Sequence, residues 1–155
     1  MEIACPHCSQ RNRVPDERIA QVPSCGKCHQ SLLDAPVTTG ARDFPALVSQ
    51  SQLPVLVDFW APWCAPCRGF APTFKAAAGR FAGQAIFAKV DTEAEPELAQ
   101  QYHIRSIPTL VAFSEGRVVH RGDAGRLGCR RAGQECGGET ERECPATDRF
   151  PRSIH

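Results

Sequence analysis

The chain has 155 residues, room for one ordinary domain and a small appendage. Its 18 Lys+Arg against 17 Asp+Glu leave a net charge of +1, which removes the electrostatic case for binding nucleic acid or a membrane surface. No apolar run approaches the ~18 residues of a membrane span, and Met1-Glu2-Ile3-Ala4-Cys5 lacks the basic and apolar stretches of a secretory signal. A cytoplasmic location is therefore expected, and nine cysteines there point to metal and redox chemistry rather than a disulfide framework.

At the N-terminus, Cys5-Pro6-His7-Cys8 and Cys25-Gly26-Lys27-Cys28 stand 16 residues apart. That spacing fits a tetrahedral zinc site. Each CxxC turn presents two sulfurs to one side, and Gly26 permits the tight turn. Residues 1–33 are too poor in large apolar side chains to hold a core of their own, so this knuckle is expected to fold around one structural Zn²⁺ per chain. His7 and His29 flank the cysteines, but four thiolates already close the usual site.

Leu32 to Thr39 reads as a connector running into a short strand. Ala41 to Ser51 carries Phe44, Leu47 and Val48 at helical spacing. Pro54 to Trp60 is a nearly continuous apolar run, as for a strand buried on both faces. A helix over Cys64 to Phe81 follows, with Phe70, Phe74, Ala77 or Ala78, and Phe81 on one face, Pro66 in its first turn and Pro72 in its interior. Ala85 to Asp91 is the next strand and Pro96 to Tyr102 a short helix. Thr109 to Phe113 and Arg117 to His120 form a hairpin around Ser114-Glu115-Gly116. The order βαβαβαββ predicts an α/β fold with a mixed sheet, parallel through its helical crossovers and ending in a hairpin.

The third CxxC, Cys64-Ala65-Pro66-Cys67, sits where a buried strand meets a helix. A helix starting there points its first N–H groups and positive dipole end at the Cys64 sulfur, which favours the thiolate. Cys64 is then the attacking nucleophile and Cys67, one turn in, the resolving thiol. Asp58 interrupts the apolar strand, either as a strand-end carboxylate reaching water or as a buried carboxylate near the dithiol that relays a proton to or from Cys67.

Asp58-Phe59-Trp60-Ala61-Pro62-Trp63-Cys64-Ala65-Pro66-Cys67, Lys89-Val90-Asp91 and Ile104-Arg105-Ser106-Ile107-Pro108-Thr109 resemble the thioredoxin family. With the double-CxxC knuckle ahead of them, they resemble its zinc-containing bacterial branch, thioredoxin 2, over about Met1 to Arg121. The resemblance implies a thioredoxin fold and a disulfide reductase that uses Cys64 and Cys67. It implies a buried Asp58 paired with Lys89. It also implies a cis Pro108 beside the sulfurs, and Ile107 offering backbone hydrogen bonds to an extended substrate. Trp63 and Pro62, beside the dithiol, would form an apolar docking surface. Disulfide-bearing proteins would be the substrates and an NADPH-dependent, flavin-containing thioredoxin reductase the electron source, with no nucleic-acid or membrane partner and a monomeric state. Ala65 stands where the family most often has glycine, a change that would adjust the redox potential.

The pattern ends near Arg121. Domains are expected at 1–33 and 34–121, followed by a tail at 122–155 rich in glycine, arginine and acidic residues, with Leu127, Phe150 and Ile154 as its large apolar residues. No helical apolar stripe is present there, so the closing helix of the family is expected to be missing. The tail reads either as frame-shifted coding text beginning between Arg121 and Ala124 or as a disordered extension. Three functional readings follow: a protein-disulfide reductase, a zinc-ribbon interaction module on a non-catalytic or truncated thioredoxin platform, and the inactive product of a broken gene.

Overall fold

The structure is a computed structural model that describes residues 1–123. The knuckle opens with a hairpin, β1 (Glu2–Ala4) against β2 (Arg11–Arg13), followed by a 3₁₀ helix over Asp16–Gln21. The remaining elements are β3 (Val37–Thr38), α1 (Phe44–Gln50), β4 (Val55–Trp60), α2 (Ala65–Arg80), β5 (Ile86–Asp91), α3 (Pro96–Gln101), β6 (Thr109–Ser114) and β7 (Arg117–Asp123). Five of the strands form one sheet in the order β3-β5-β4-β6-β7. No helix among the described residues is long and apolar enough to cross a membrane.

β4 lies in the middle of this sheet, parallel to β5 and antiparallel to β6. Its continuous apolar character follows, because Val55, Val57 and Phe59 face one layer while Leu56 faces the other. On the first face Phe44 of α1 meets Phe113 and Tyr102 at ring-centroid distances of 5.5 and 5.4 Å. Leu98 of α3 joins this layer. On the second face Phe74 and Ala78 of α2 pack on Phe87 and Leu110, with the Phe74 and Phe87 rings 5.1 Å apart. α2 continues as an α-helix through Pro72.

Three features differ from the sequence reading. The crossover through α3 does not produce a parallel strand: β6 runs antiparallel to β4. A six-residue helix spans only ~9 Å, less than half the ~20 Å of a six-residue strand. The chain therefore begins β6 from the end of the sheet at which β5 finished. The final hairpin turns on Glu115 and Gly116 alone, both at positive φ (51° and 78°), as a two-residue turn matched to strand twist requires. β7 extends to Asp123, past the expected His120, and Arg121 donates to the Tyr102 and His103 carbonyls. The rest of the expected tail and the expected loss of a closing helix lie outside the described residues.

The knuckle shares its core with the sheet. Ile3, Val14, Ile19 and Leu32 are buried in one cluster with Phe44, Val57 and Phe113. At its edge, Arg11 bridges Glu2 and Asp43, the residue ahead of α1. Gly83, at φ 80°, meets the knuckle so closely that a Cβ there would lie 2.9 Å from Val22 Cγ2. An appendage too small for a core has buried its apolar side chains in its neighbour's. Ile19→Ala should therefore lower the stability of the whole folded unit by about 2–4 kcal/mol. In urea melts it should shift the single transition followed by sheet and knuckle probes alike. A shift confined to knuckle signals would contradict the shared core.

Candidate functional site

β4 ends at Trp60, and a tight turn, closed by the Cys64 N–H donating to the Ala61 carbonyl at 3.1 Å, delivers Cys64 to the N-cap of α2. Pro66, in the first turn, gives up an N–H that no helix would use there. The Cys67 backbone N–H then donates to Cys64 Sγ at 3.2 Å. The sulfur thus occupies the place where Ser or Asp usually caps a helix. A thiolate here gains a charge-assisted hydrogen bond and the positive end of the dipole, both of which favour the charged sulfur.

Cys64 and Cys67 are joined as a disulfide, with Cα atoms 5.3 Å apart. Both residues are buried, 4% and 2% exposed, so exposure ranks them in the expected order but barely separates them. What distinguishes them is the cap. Cys64 Sγ also lies 3.8 Å from the Ile107 carbonyl oxygen, and the Ile107–Pro108 bond is cis. Trp60, Ala61 and Ile107 pack around the two sulfurs. Trp63 stands 65% exposed and Pro62 is exposed beside it, an apolar rim next to the dithiol.

Asp58 is 1% exposed, and neither carboxylate oxygen has a hydrogen-bond partner among the described residues. Strand alternation puts it on the same face of β4 as Leu56, under α2. Burial raises its pKa to about 6, against an opposing pull from the Lys89 charge. Lys89 is its register partner on β5, as expected, but no ion pair joins them. The Lys89 ammonium instead sits 4.1 Å from the centroid of the Trp60 ring. The cation acts on Asp58 through space while the indole holds it. Trp60 had no role assigned from sequence. Strand alternation from Asp58 would have put it on the same face, and its Nε1 is buried without a partner among the described residues.

The second site is the cysteine cluster. The sulfurs of Cys5, Cys8, Cys25 and Cys28 all lie within 4.8 Å of one another. Cys5 and Cys28 approach to 3.6 Å, and Cys8 and Cys25 to 3.7 Å. A tetrahedron with ~2.3 Å zinc–sulfur bonds has edges of ~3.8 Å, so the donor set fits zinc. Backbone N–H groups of His7 and Lys27 point at Cys5 and Cys25 Sγ, each at 3.4 Å. Cys25 is held down to about 6, first by the Cys28 backbone N–H. The Gln30 backbone N–H pulls Cys28 down, but burial and the neighbouring thiols outweigh it and push Cys28 up to about 12. Such a set carries four thiolates only around a cation. His7 turns away to bond Asp34 at 2.7 Å, and neither it nor His29 joins the cluster.

Comparison with known proteins finds relatives for both parts of the chain. The family model described as Thioredoxin matches residues 35–127, and the one described as Thioredoxin 2, N-terminal, matches residues 4–30. Thioredoxin C-3 of Corynebacterium nephridii is 45% identical over 122 residues, covering 78% of this chain and 83% of that protein. Thioredoxin 1 of Synechococcus elongatus is 50% identical over 76 residues, 49% of this chain and 71% of that one. Among solved structures, the N21Q mutant thioredoxin from Halobacterium salinarum NRC-1 superposes with a TM-score of 0.54 at 32% identity. That match covers 59% of this chain and 79% of the other.

The Asp58 environment makes stability depend on pH. Its native pKa is raised, so between pH 3.8 and about 6 the folded state holds a proton that the unfolded chain releases. Stability should fall as pH climbs through that window. Asp58→Asn should abolish that part of the slope and leave the protein more stable at pH 7, by up to about 2–3 kcal/mol. Urea melts from pH 3.5 to 7.5 on both proteins would show it. Parallel profiles would remove Asp58 as the source.

Proposed function

We propose residue roles for the protein-disulfide reductase chemistry of this chain, which belongs to the thioredoxin family and carries a zinc ribbon of the thioredoxin 2 type at its N-terminus. The observation that carries the assignment is the Cys67 N–H donating to Cys64 Sγ at the cap of α2. In the reduced protein, Cys64 thiolate attacks one sulfur of a substrate disulfide. The substrate's other sulfur leaves as a thiolate, and a Cys64–substrate mixed disulfide forms. Asp58 accepts the Cys67 proton, for which a pKa near 6 suits it. Cys67 thiolate then attacks Cys64 Sγ and expels the second substrate sulfur as a thiolate, which takes up a proton. The Cys64–Cys67 disulfide that results returns to the dithiol on receiving two electrons and two protons. Lys89, held on Trp60, keeps Asp58 from rising further. Trp63 and Pro62 dock the partner, and the backbone of Ile107 beside Pro108 pairs with its extended chain.

We take residues 1–33 as the zinc-binding knuckle and 34–121 as the thioredoxin domain, with the cytoplasm as their place. An NADPH-dependent reductase would supply the electrons, and the working form would be a monomer. The four-sulfur set leaves no open coordination position, so its metal is structural, one zinc per chain. Zinc when bound cross-links the two CxxC turns, and Cys5, Cys8, Cys25 and Cys28 hold it.

Two experiments test these roles. Cys67→Ser should accumulate mixed disulfides with protein substrates, and Cys64→Ser should not, as read on non-reducing gels after acid quenching. Equal trapping by both would reverse or void the assignment. Metal analysis of the full chain should give one zinc, lost in Cys25→Ser. Undiminished zinc in that variant would sink the four-ligand site.

A further inference from the structure

The side of α2 turned toward the knuckle is basic. Arg68 and Lys75 stand seven positions apart, two helical turns, so they share a face, and Ala71 and Pro72 between them keep the wall low. This face borders a cleft of about 520 Å³ that Lys89 of β5 enters from the sheet. Pro6 of the knuckle, Pro36 of the connector and Pro72 of α2 give it apolar walls, and Thr38 of β3 adds an exposed hydroxyl. No carboxylate lines it. Asp34 nearby is taken by His7, which closes the knuckle side. Among the described residues neither Arg68 nor Lys75 forms an ion pair.

Lys89 is already held on Trp60 beside Asp58, so the charge this cleft offers is that of Arg68 and Lys75, a local excess in a chain of net charge +1. Apolar walls focus such a field rather than dissipate it. Charge and shape select the ligand. Two positive groups over-neutralise a single carboxylate but match a phosphate dianion. The guanidinium fork is suited to two phosphate oxygens, and the Lys75 ammonium acts as a point charge. The volume falls in the range of small-molecule sites and exceeds what a bare phosphate ion fills. We propose that this cleft binds a small phosphate-bearing ligand, its oxygens on Arg68 and Lys75 and the rest of it against Pro6, Pro36 and Pro72. The ligand would bridge knuckle, connector and α2. The site goes beyond the redox reading and does not rest on it, since no step involves Cys64 or Cys67.

Titration calorimetry on the zinc-loaded full chain tests it, with AMP, inorganic pyrophosphate and inorganic phosphate at matched ionic strength. Saturable binding of AMP or pyrophosphate, tighter than that of phosphate, is expected. Arg68→Gln and Lys75→Gln should each weaken it about tenfold or more, as for loss of one charge-assisted hydrogen bond. Arg117→Gln, which removes the same charge on β7, should leave it unchanged. AMP binding supports an organic ligand, and pyrophosphate binding without AMP an inorganic one. Lys75 is exposed on a helix surface, so its variant remains decisive if Arg68→Gln fails to fold. No binding in the millimolar range, wild-type binding by the Gln variants, or equal weakening by Arg117→Gln would overturn the site.

Discussion

Everything in the reactive half of this protein depends on one sulfur held at the first turn of one helix. Cys64 is useful only while the Cys67 N–H and the open end of α2 point at it. That in turn requires α2 to stay fixed against the sheet. Phe74 and Ala78 anchor it on Phe87 and Leu110, and Cys67 itself is buried in the turn that packs on Ala61. The other side of the sulfur is fixed by a different part of the chain, the loop that brings the Ile107 carbonyl to 3.8 Å. That loop exists because α3 is too short to cross the sheet, so β6 must start at the dithiol end. The antiparallel entry of β6 and the reactive site are thus consequences of the same short helix.

Asp58 shows how a costly buried charge is held in the sheet. A carboxylate with no hydrogen-bond partner in the sheet interior would ordinarily be replaced by an apolar residue, because leaving it unpaired costs more than most surface changes gain. Its charged form is tolerable here only because Lys89 lies alongside, and Lys89 is kept close by Trp60 rather than by contact with the carboxylate. A direct ion pair would pull the Asp58 pKa down and remove its capacity to take a proton near neutrality. Holding the cation on an indole leaves its field in place without fixing it to the carboxylate.

The parts legible in the sequence are those where local chemistry and fold coincide. The two cysteine turns announce a metal site by spacing, and Cys64-Ala65-Pro66-Cys67 after an apolar run announces a dithiol at a strand–helix junction. Asp58 stands out because a charge in a buried strand contradicts its surroundings. Other features were illegible for reasons of the same kind. Lys89 resting on Trp60 is a through-sheet relation, visible only once the parallel register of β4 and β5 is known. The turn at Glu115-Gly116 places a non-glycine residue at positive φ, which propensity does not announce. The closeness of Gly83 to Val22 joins segments some sixty residues apart.

The knuckle was the least legible part, and it shows why motif and domain differ. Its sequence reads as a unit dependent on metal, since so few large apolar residues accompany four cysteines. Yet Ile3, Val14, Ile19 and Leu32 enter the layer formed by Phe44, Val57 and Phe113. Metal ligation and sheet packing therefore act on the same residues from opposite sides. Cys5 and Cys25 are themselves buried in that layer. An ion that favours the folded arrangement of the sulfurs also favours the arrangement that covers the sheet. By linkage, the packed sheet raises the affinity of the sulfurs for the ion by the same factor. A closed metal site with no catalytic position thus bears on the reactive cysteines without touching them, because the sheet it helps to cover carries β4, and β4 carries Cys64.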